Sequence, residues 1–309
     1  MAIQQKWLVS VPVATLWTSS DSSREIDFEA ITNPVNLDSW LGKLTYEPRL
    51  ELCEGNLVQS QVLYGEEVIV LEEKDGWVHV VVPGQPSSKD ERGYPGWVPK
   101  AQLTKNEDWK LGSRKAAVIQ KKKATLYSND REPELILSYQ TILPVLREEA
   151  EWIQVQTPEG AGYLKPEDVQ VYETIGAIRK GSGKDIIDAG EQFIGLPYLW
   201  GGMSSFGYDC SGFSYSMCKA NGFIIPRDAH DQAEAGDPVE LDAIEPGDLL
   251  FFAYEEGKGK LHHVGIYYGD GKLLHSPNTG KTIEIIDLKD TIYEKELCAA
   301  RRYWQETGE

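Results

Sequence analysis

One strand pattern occurs twice in the first 170 residues and then stops. The first copy runs through VPVATLW (11–17), VLYGEEVIVLEEKDGWVHV (62–80) and GYPGWVPKAQL (93–103). The second runs through KKATLYS (122–128), ILSYQTILPVLREEAEWIQV (136–155) and GAGYLKPEDV (160–169). In each, an apolar strand reaches an acidic turn, followed by a Trp-x-x-Val strand, a variable loop and a strand of glycine and aromatic residues. Short strands broken by turn residues at this spacing close into small all-β barrels, so the repeat predicts two of them. An insertion from 19 to 60 splits the first copy. Within it Asn36 caps a predicted short helix through Trp40 and Leu44. The retained apolar residues must pack over the barrel or an interdomain surface.

From about Gly176 the period changes. IIDAGEQFIG (186–195) reads as an amphipathic helix, CSGFSYSMCKANG (210–222) as a second, and PRDAHDQ (226–232) as the start of a third. IEPGDLLFF (244–252) is a turn feeding a buried strand, and HHVGIYYGDGKLLHS with KTIEIIDL continues an antiparallel sheet. Helices followed by a run of strands indicate an α+β domain. The expected division is 1–105, 106–175 and 176–309, in keeping with a length of 309 residues and.

Charge and cysteine content narrow the function. With 49 acidic against 31 basic residues, the formal charge of -18 argues against nucleic acid or an anionic membrane as a general partner and. Four cysteines at irregular spacing do not make a disulfide framework and suit a reducing compartment and. The early apolar stretch WLVSVPVATLW reads as a first strand rather than a signal peptide, because part of it recurs inside the chain. No segment approaches the roughly 20 apolar residues of a membrane span. The cytoplasm is the expected compartment, with the extracellular space as the alternative should an export sequence precede this chain. A monomer is expected.

YDCSGFSYSMCKANG carries the chemistry. Asp209 caps a helix that begins at Cys210, and first-turn amides favour an anion at the sulfur, so a lowered thiol pKa is expected. Cys218, two turns on, reads as a buried structural residue. If Gly269, Asp270 and Gly271 form a three-residue loop, His275 pairs with Gly265 and lies diagonal to His263 on one sheet face. A two-residue Asp-Gly loop would put the two histidines on opposite faces. An imidazole within reach can take the proton of a thiol, and a second polar group fixes that imidazole's tautomer. His263 fits the base and His275 the orienter.

Zinc is the competing use of Cys210, Cys218, His262, His263 and His275. Adjacent histidines on a strand point to opposite faces, and no CxxC pair or HExxH helix is present, so neither a metal nor any other cofactor is expected. In PYLWGG (197–202), Tyr198 offers a hydroxyl that could assist an oxyanion beside the Cys210 amide, against a plain packing role for Tyr198 and Trp200. Arg227 and Asp228 are candidates for a pocket rim, against a solvated ion pair.

PYLWGG, YDCSGF, PRDAHDQ, EPGDLLFF, HHVGIYYGDGKLLHS and ARRYW, in that order over 185–304, resemble the NlpC-type bacterial cell-wall cysteine peptidases, a circularly permuted relative of papain-like enzymes. The resemblance implies two SH3-like barrels ahead of an α+β papain-like catalytic domain. It also implies Cys210, His263 and His275 as the catalytic set, with Tyr198 in support. The whole arrangement is similar to the γ-D-glutamyl-L-diamino acid endopeptidases of Bacillus-type murein peptide recycling. In that subgroup an acidic residue and a tyrosine of the first barrel recognise the free amino terminus of L-Ala-γ-D-Glu-L-diamino acid peptides. The corresponding positions are Glu66, with Glu67 as the neighbouring alternative, and Tyr94. Trp200, Asp209, Ser211, Arg227, Asp228 and His262 follow as substrate-lining residues, while Ala229 stands where many relatives carry serine. The expected partner is therefore a small murein peptide with a free L-Ala. Two alternatives stand beside it: a noncatalytic peptidoglycan-binding protein, and an amidase or acyltransferase using the same nucleophile.

Overall fold

In both repeats, glycine in the final aromatic strand marks where two strands come closest. A Cβ on Gly96 would meet the Leu16 Cβ at 2.9 Å, and one on Gly162 would meet the Leu126 Cδ1 at 2.9 Å. The computed structural model describes residues 6–304. Its first antiparallel sheet has seven strands in the spatial order Val58–Leu63, Val13–Trp17, Tyr94–Pro99, Trp77–Val82, Glu67–Lys74, Lys6–Val9, Leu103–Thr104. The second repeats this order with Pro133–Ser138, Lys123–Tyr127, Gly160–Leu164, Ile153–Thr157, Ile142–Glu148, Ala116–Ile119 and Val169–Tyr172. Alternation supplies the first core from Val78, Val80 and Val82 on one strand, facing Val62, Val68 and Val98 and. The WLVSVPVATLW stretch forms two strands of this barrel.

The insertion folds as expected around its cap. The Asn36 side chain accepts from the Ser39 N–H at 3.1 Å and starts the helix Leu37–Lys43. Trp40 is buried, donates from Nε1 to Asp27 at 2.9 Å, and lies 6.5 Å from Trp17, so the insertion packs on its own barrel. Two further helices, Phe28–Ile31 and Tyr46–Glu54, were not expected from the sequence. Tyr64, from the turn after Val58–Leu63, belongs to the core of the second barrel together with Leu143 and Val155. The two barrels thus share one compact unit, which takes the described residues 6–84, 92–178 and 204–206; the other takes 85–91, 179–203 and 207–304.

In that second unit the first helix is Gly183–Glu191, starting three residues before the expected Ile186. The shift follows from a reciprocal cap in which Ser182 accepts from the Asp185 N–H and Asp185 accepts from the Ser182 N–H and. A bare glycine face joins this helix to the next: a Cβ on Gly190 would meet Leu274 at 2.8 Å and Phe213 at 3.0 Å. The helix Cys210–Ala220 is buried from Ser211 to Cys218. It packs on a six-stranded sheet ordered Asp237–Val239, Leu297–Arg302, Leu249–Ala253, Leu261–Gly269, Lys272–His275, Glu284–Asp287. The expected α+β arrangement is present. No helix among the described residues is long and apolar enough to cross a membrane.

Candidate active site

Asp209 places Cys210. Its Oδ1 accepts from the Gly212 N–H at 2.6 Å and so starts the helix, while Oδ2 accepts from the Gly201 N–H at 2.9 Å and holds the preceding loop and. The Arg227 guanidinium donates to Oδ2 at 2.7 Å, and to the Ser211 hydroxyl at 2.8 Å. Arg227 is only 1% exposed. This corrects its expected place on the pocket rim: a guanidinium enters the interior when a carboxylate meets it there, and Asp209 does so. Asp209 and Ser211 are themselves buried, with their side chains committed to this cluster. Asp228 stays partly exposed and pairs with Lys89 at 3.0 Å.

The histidine hairpin reaches the expected pairing by a different route. Gly269 pairs with Lys272, so the loop is the two-residue Asp270–Gly271 turn, both residues having positive φ, rather than three residues and. The register then shifts between Tyr267 and Gly269, which leaves Tyr268 as a one-residue bulge and. That bulge restores the parity a two-residue turn would have lost. Ile266 pairs with Leu274, which sets His275 across from Gly265 and diagonal to His263. Nε2 of His263 lies 2.8 Å from Nδ1 of His275. Gly265 leaves the room for this, since a Cβ there would meet the His275 Cβ at 2.9 Å.

A second bulge corrects the expectation that His262 and His263 simply alternate between faces. Phe252 pairs with His263 but Ala253 pairs with Leu261, leaving nothing across from His262. Its ring stacks on Tyr254 at 4.0 Å, shares a hydrogen bond with Glu296 at 3.0 Å, and lies 6.4 Å from the His263 ring. Tyr293, which sequence reasoning missed, packs at 5.1 Å against both His263 and His275. Phe252 closes the cage, 5.7 Å from His263 and 5.2 Å from Tyr293. Among the described residues, no group of three or more histidine, cysteine or acidic side chains could hold a metal ion.

The electrostatics overturn the expected low thiol pKa. Burial of the sulfur, with the Asp209 carboxylate beside it, pushes the Cys210 thiol up to about 12 and. The Val264 and Ser211 amides and Arg227 pull the other way and are outweighed. Burial also holds His263 well below its ordinary value, helped by His275 and His262, and holds His275 down at about 3, helped by Lys281. These shifts favour a neutral thiol and neutral imidazoles. With Nε2 of His263 directed at His275, Nδ1 is the ring nitrogen left to take a proton and.

The other sequence-predicted residues sit as follows. Tyr198 is buried, with its N–H on the Lys281 carbonyl, and forms a bridge with Tyr208. Trp200 is partly exposed in the same loop. Cys218 is buried, as expected. Glu66 and Tyr94 lie in the first unit. Glu66 accepts from the Leu63 N–H at 2.9 Å and Tyr94 is buried in the first barrel's core, while Glu67 opens the strand that pairs with Leu8.

Three outcomes follow from this geometry. Gly265→Ala should lower kcat roughly 10- to 100-fold in a folded protein by displacing His275; unchanged turnover would show that the His263–His275 contact is dispensable. Arg227→Met should cost roughly 3 kcal/mol in urea unfolding, because it strips the charge partner from a buried carboxylate. Alkylation of Cys210 by iodoacetamide should keep rising with pH beyond the roughly 8.5 of an ordinary thiol; a plateau below neutrality would reveal a preformed thiolate.

Residues 195–302 match the NlpC/P60 family, 55–103 the bacterial dipeptidyl-peptidase Sh3 domain, and 119–172 the YKFC SH3b2 domain. The chain is 51% identical over 294 residues to a Bacillus subtilis gamma-D-glutamyl-L-lysine dipeptidyl-peptidase, covering 95% of this chain and 97% of that protein. A Bacillus cereus protein of the same name is 41% identical over 302 residues, covering 96% and 91%. The crystal structure of an NlpC/P60 family protein from Bacillus cereus superposes with a TM-score of 0.94 at 40% identity, covering 97% of this chain and all of that one. The chain therefore belongs to the NlpC/P60 family of cysteine peptidases, with two bacterial SH3-like domains ahead of its catalytic domain.

Proposed function

We propose that the protein cleaves free murein peptides such as L-Ala-γ-D-Glu-L-diaminopimelate, or the lysine counterpart, between D-Glu and the diamino acid. The observation that carries this reading is the near end-to-end similarity to two Bacillus proteins named gamma-D-glutamyl-L-lysine dipeptidyl-peptidases. A dipeptidyl-peptidase counts two residues from a free amino terminus. Such counting needs a group that accepts an ammonium, the role assigned to Glu66 and Tyr94. Four free thiols support the cytoplasm as the compartment and.

The chemistry follows from the neutral pair. Cys210 Sγ attacks the γ-carbonyl carbon as its proton passes to His263, and the carbonyl becomes an oxyanion beside the Cys210 amide and the Tyr198 hydroxyl. The oxyanion collapses, the amide C–N bond breaks, and the diamino acid leaves as an amine with the proton from His263. Water then attacks the thioester, gives a proton to His263, and releases the dipeptide acid and the thiol. His275 holds the His263 ring throughout.

The test is incubation of the purified protein with L-Ala-γ-D-Glu-L-Lys, its diaminopimelate counterpart, their N-acetylated forms and intact peptidoglycan, with products identified by mass spectrometry. Release of L-Ala-γ-D-Glu from the free-amine peptides, lost in Cys210→Ala and reduced in Glu66→Gln, is expected. Equal cleavage of acetylated peptide or intact wall would reject the amino-terminus requirement, and turnover by folded Cys210→Ala would reject the nucleophile.

A further inference from the structure

On the reading that Cys210, His263 and His275 do the chemistry, we propose that Glu284 is a fourth, positioning member of the set. It fixes the proton on Nε2 of His275 and so sets the direction in which His263 faces Cys210. Nε2 of His275 lies inside the protein without a hydrogen-bond partner, and the residue is 0% exposed. Native structures seldom leave a buried ring nitrogen without a partner. Oε1 of Glu284 lies 3.8 Å away. The sheet puts it there: Glu284 pairs directly with His275 across the ladder, and paired residues present their side chains on the same face and. The Glu284 side chain is 39% exposed, which leaves it room to close the remaining gap.

The logic is one of direction. For Nδ1 of His263 to hold a lone pair for the thiol proton, its Nε2 must carry hydrogen and donate to Nδ1 of His275. His275 must then carry its own hydrogen on Nε2. A carboxylate accepts and never donates, so Glu284 admits only this arrangement, whereas the opposite tautomer would turn a lone pair towards it. When His263 gains a proton during attack, the same negative charge favours the imidazolium through His275. The other titratable groups around the pair are Lys281, His262, Tyr293 and Cys210, with Glu296 engaged by His262. Lys281 opposes a charge on His275, while the Glu284 carboxylate, 3.8 Å from its Nε2, carries the sign that would favour one and.

Glu284→Met and Glu284→Asp, with Cys210→Ala as reference, test this in the full chain against L-Ala-γ-D-Glu-L-Lys. Glu284→Met should lower kcat roughly 5-fold with KM little changed, the scale expected for a partly exposed charge. It should also move the acid limb of kcat/KM to lower pH, because losing a nearby negative charge weakens the base's hold on its proton. Nitrogen-15 spectra should show His275 as the Nε2–H tautomer in the parent and a mixture in Glu284→Met, with Glu284→Asp recovering part of the parent's behaviour. A fall in kcat with the tautomer and acid limb unmoved would make Glu284 merely structural and overturn the proposal. Parent-like values throughout, with Cys210→Ala inactive, would overturn it while sparing the catalytic reading. Activity in Cys210→Ala would remove both.

Discussion

The Asp209 carboxylate is the joint on which the catalytic domain turns. One oxygen ends the loop and begins the helix by taking the Gly212 N–H, and the other draws in Gly201 and the Arg227 guanidinium. Gln232 adds a further tie from its side-chain amide to the Ser211 carbonyl at 3.0 Å. Three stretches between Gly201 and Gln232 thereby meet around the first turn of one helix, and Cys210 occupies the position they define. A buried carboxylate is affordable only when fully hydrogen-bonded, so the cluster that orients the nucleophile also tolerates little change.

That arrangement stabilises position rather than charge. The helix start and two amides favour a thiolate, yet burial and the Asp209 charge outweigh them, and the histidine pair is buried as well. In the proposed mechanism the sulfur therefore keeps its proton until a substrate carbonyl is in place, with His263 held by His275. Tyr293 and Phe252 fix the rings by contact, which suits a pair whose hydrogen bonding alone would allow rotation.

Features set by neighbours in sequence were legible from the sequence. Asn36 and Asp209 announced their helices because a cap acts within three residues, and the repeated glycine-aromatic strands announced two barrels because each needs a close crossing at the same place. The proposed trio of Cys210, His263 and His275 came from residue type and pattern, and the structure brings His263 and His275 into contact. What the sequence concealed depends on distant partners. Arg227 reads as a solvated charge until Asp209 is found beside it. Tyr293 carries no local mark, since only folding brings the helix Ile292–Glu296 against the histidines. Turn length was the least decidable, because Gly269–Asp270–Gly271 supports either loop and the choice rests on where Tyr268 finds space. The electrostatics of the thiol are hidden for a related reason: a helix terminus is visible in sequence, whereas the burial that opposes it is not.

Tyr268 adds one consequence for how such enzymes vary in evolution. Its bulge is the single residue that keeps the two histidines on the same side of the hairpin. A lineage that lost one residue there would preserve every catalytic letter, the barrels and the sheet, while sending one imidazole to the opposite surface. Inactive descendants of this architecture can therefore arise without any substitution in the active site, and they would be recognised by counting residues between the histidines rather than by looking for missing ones.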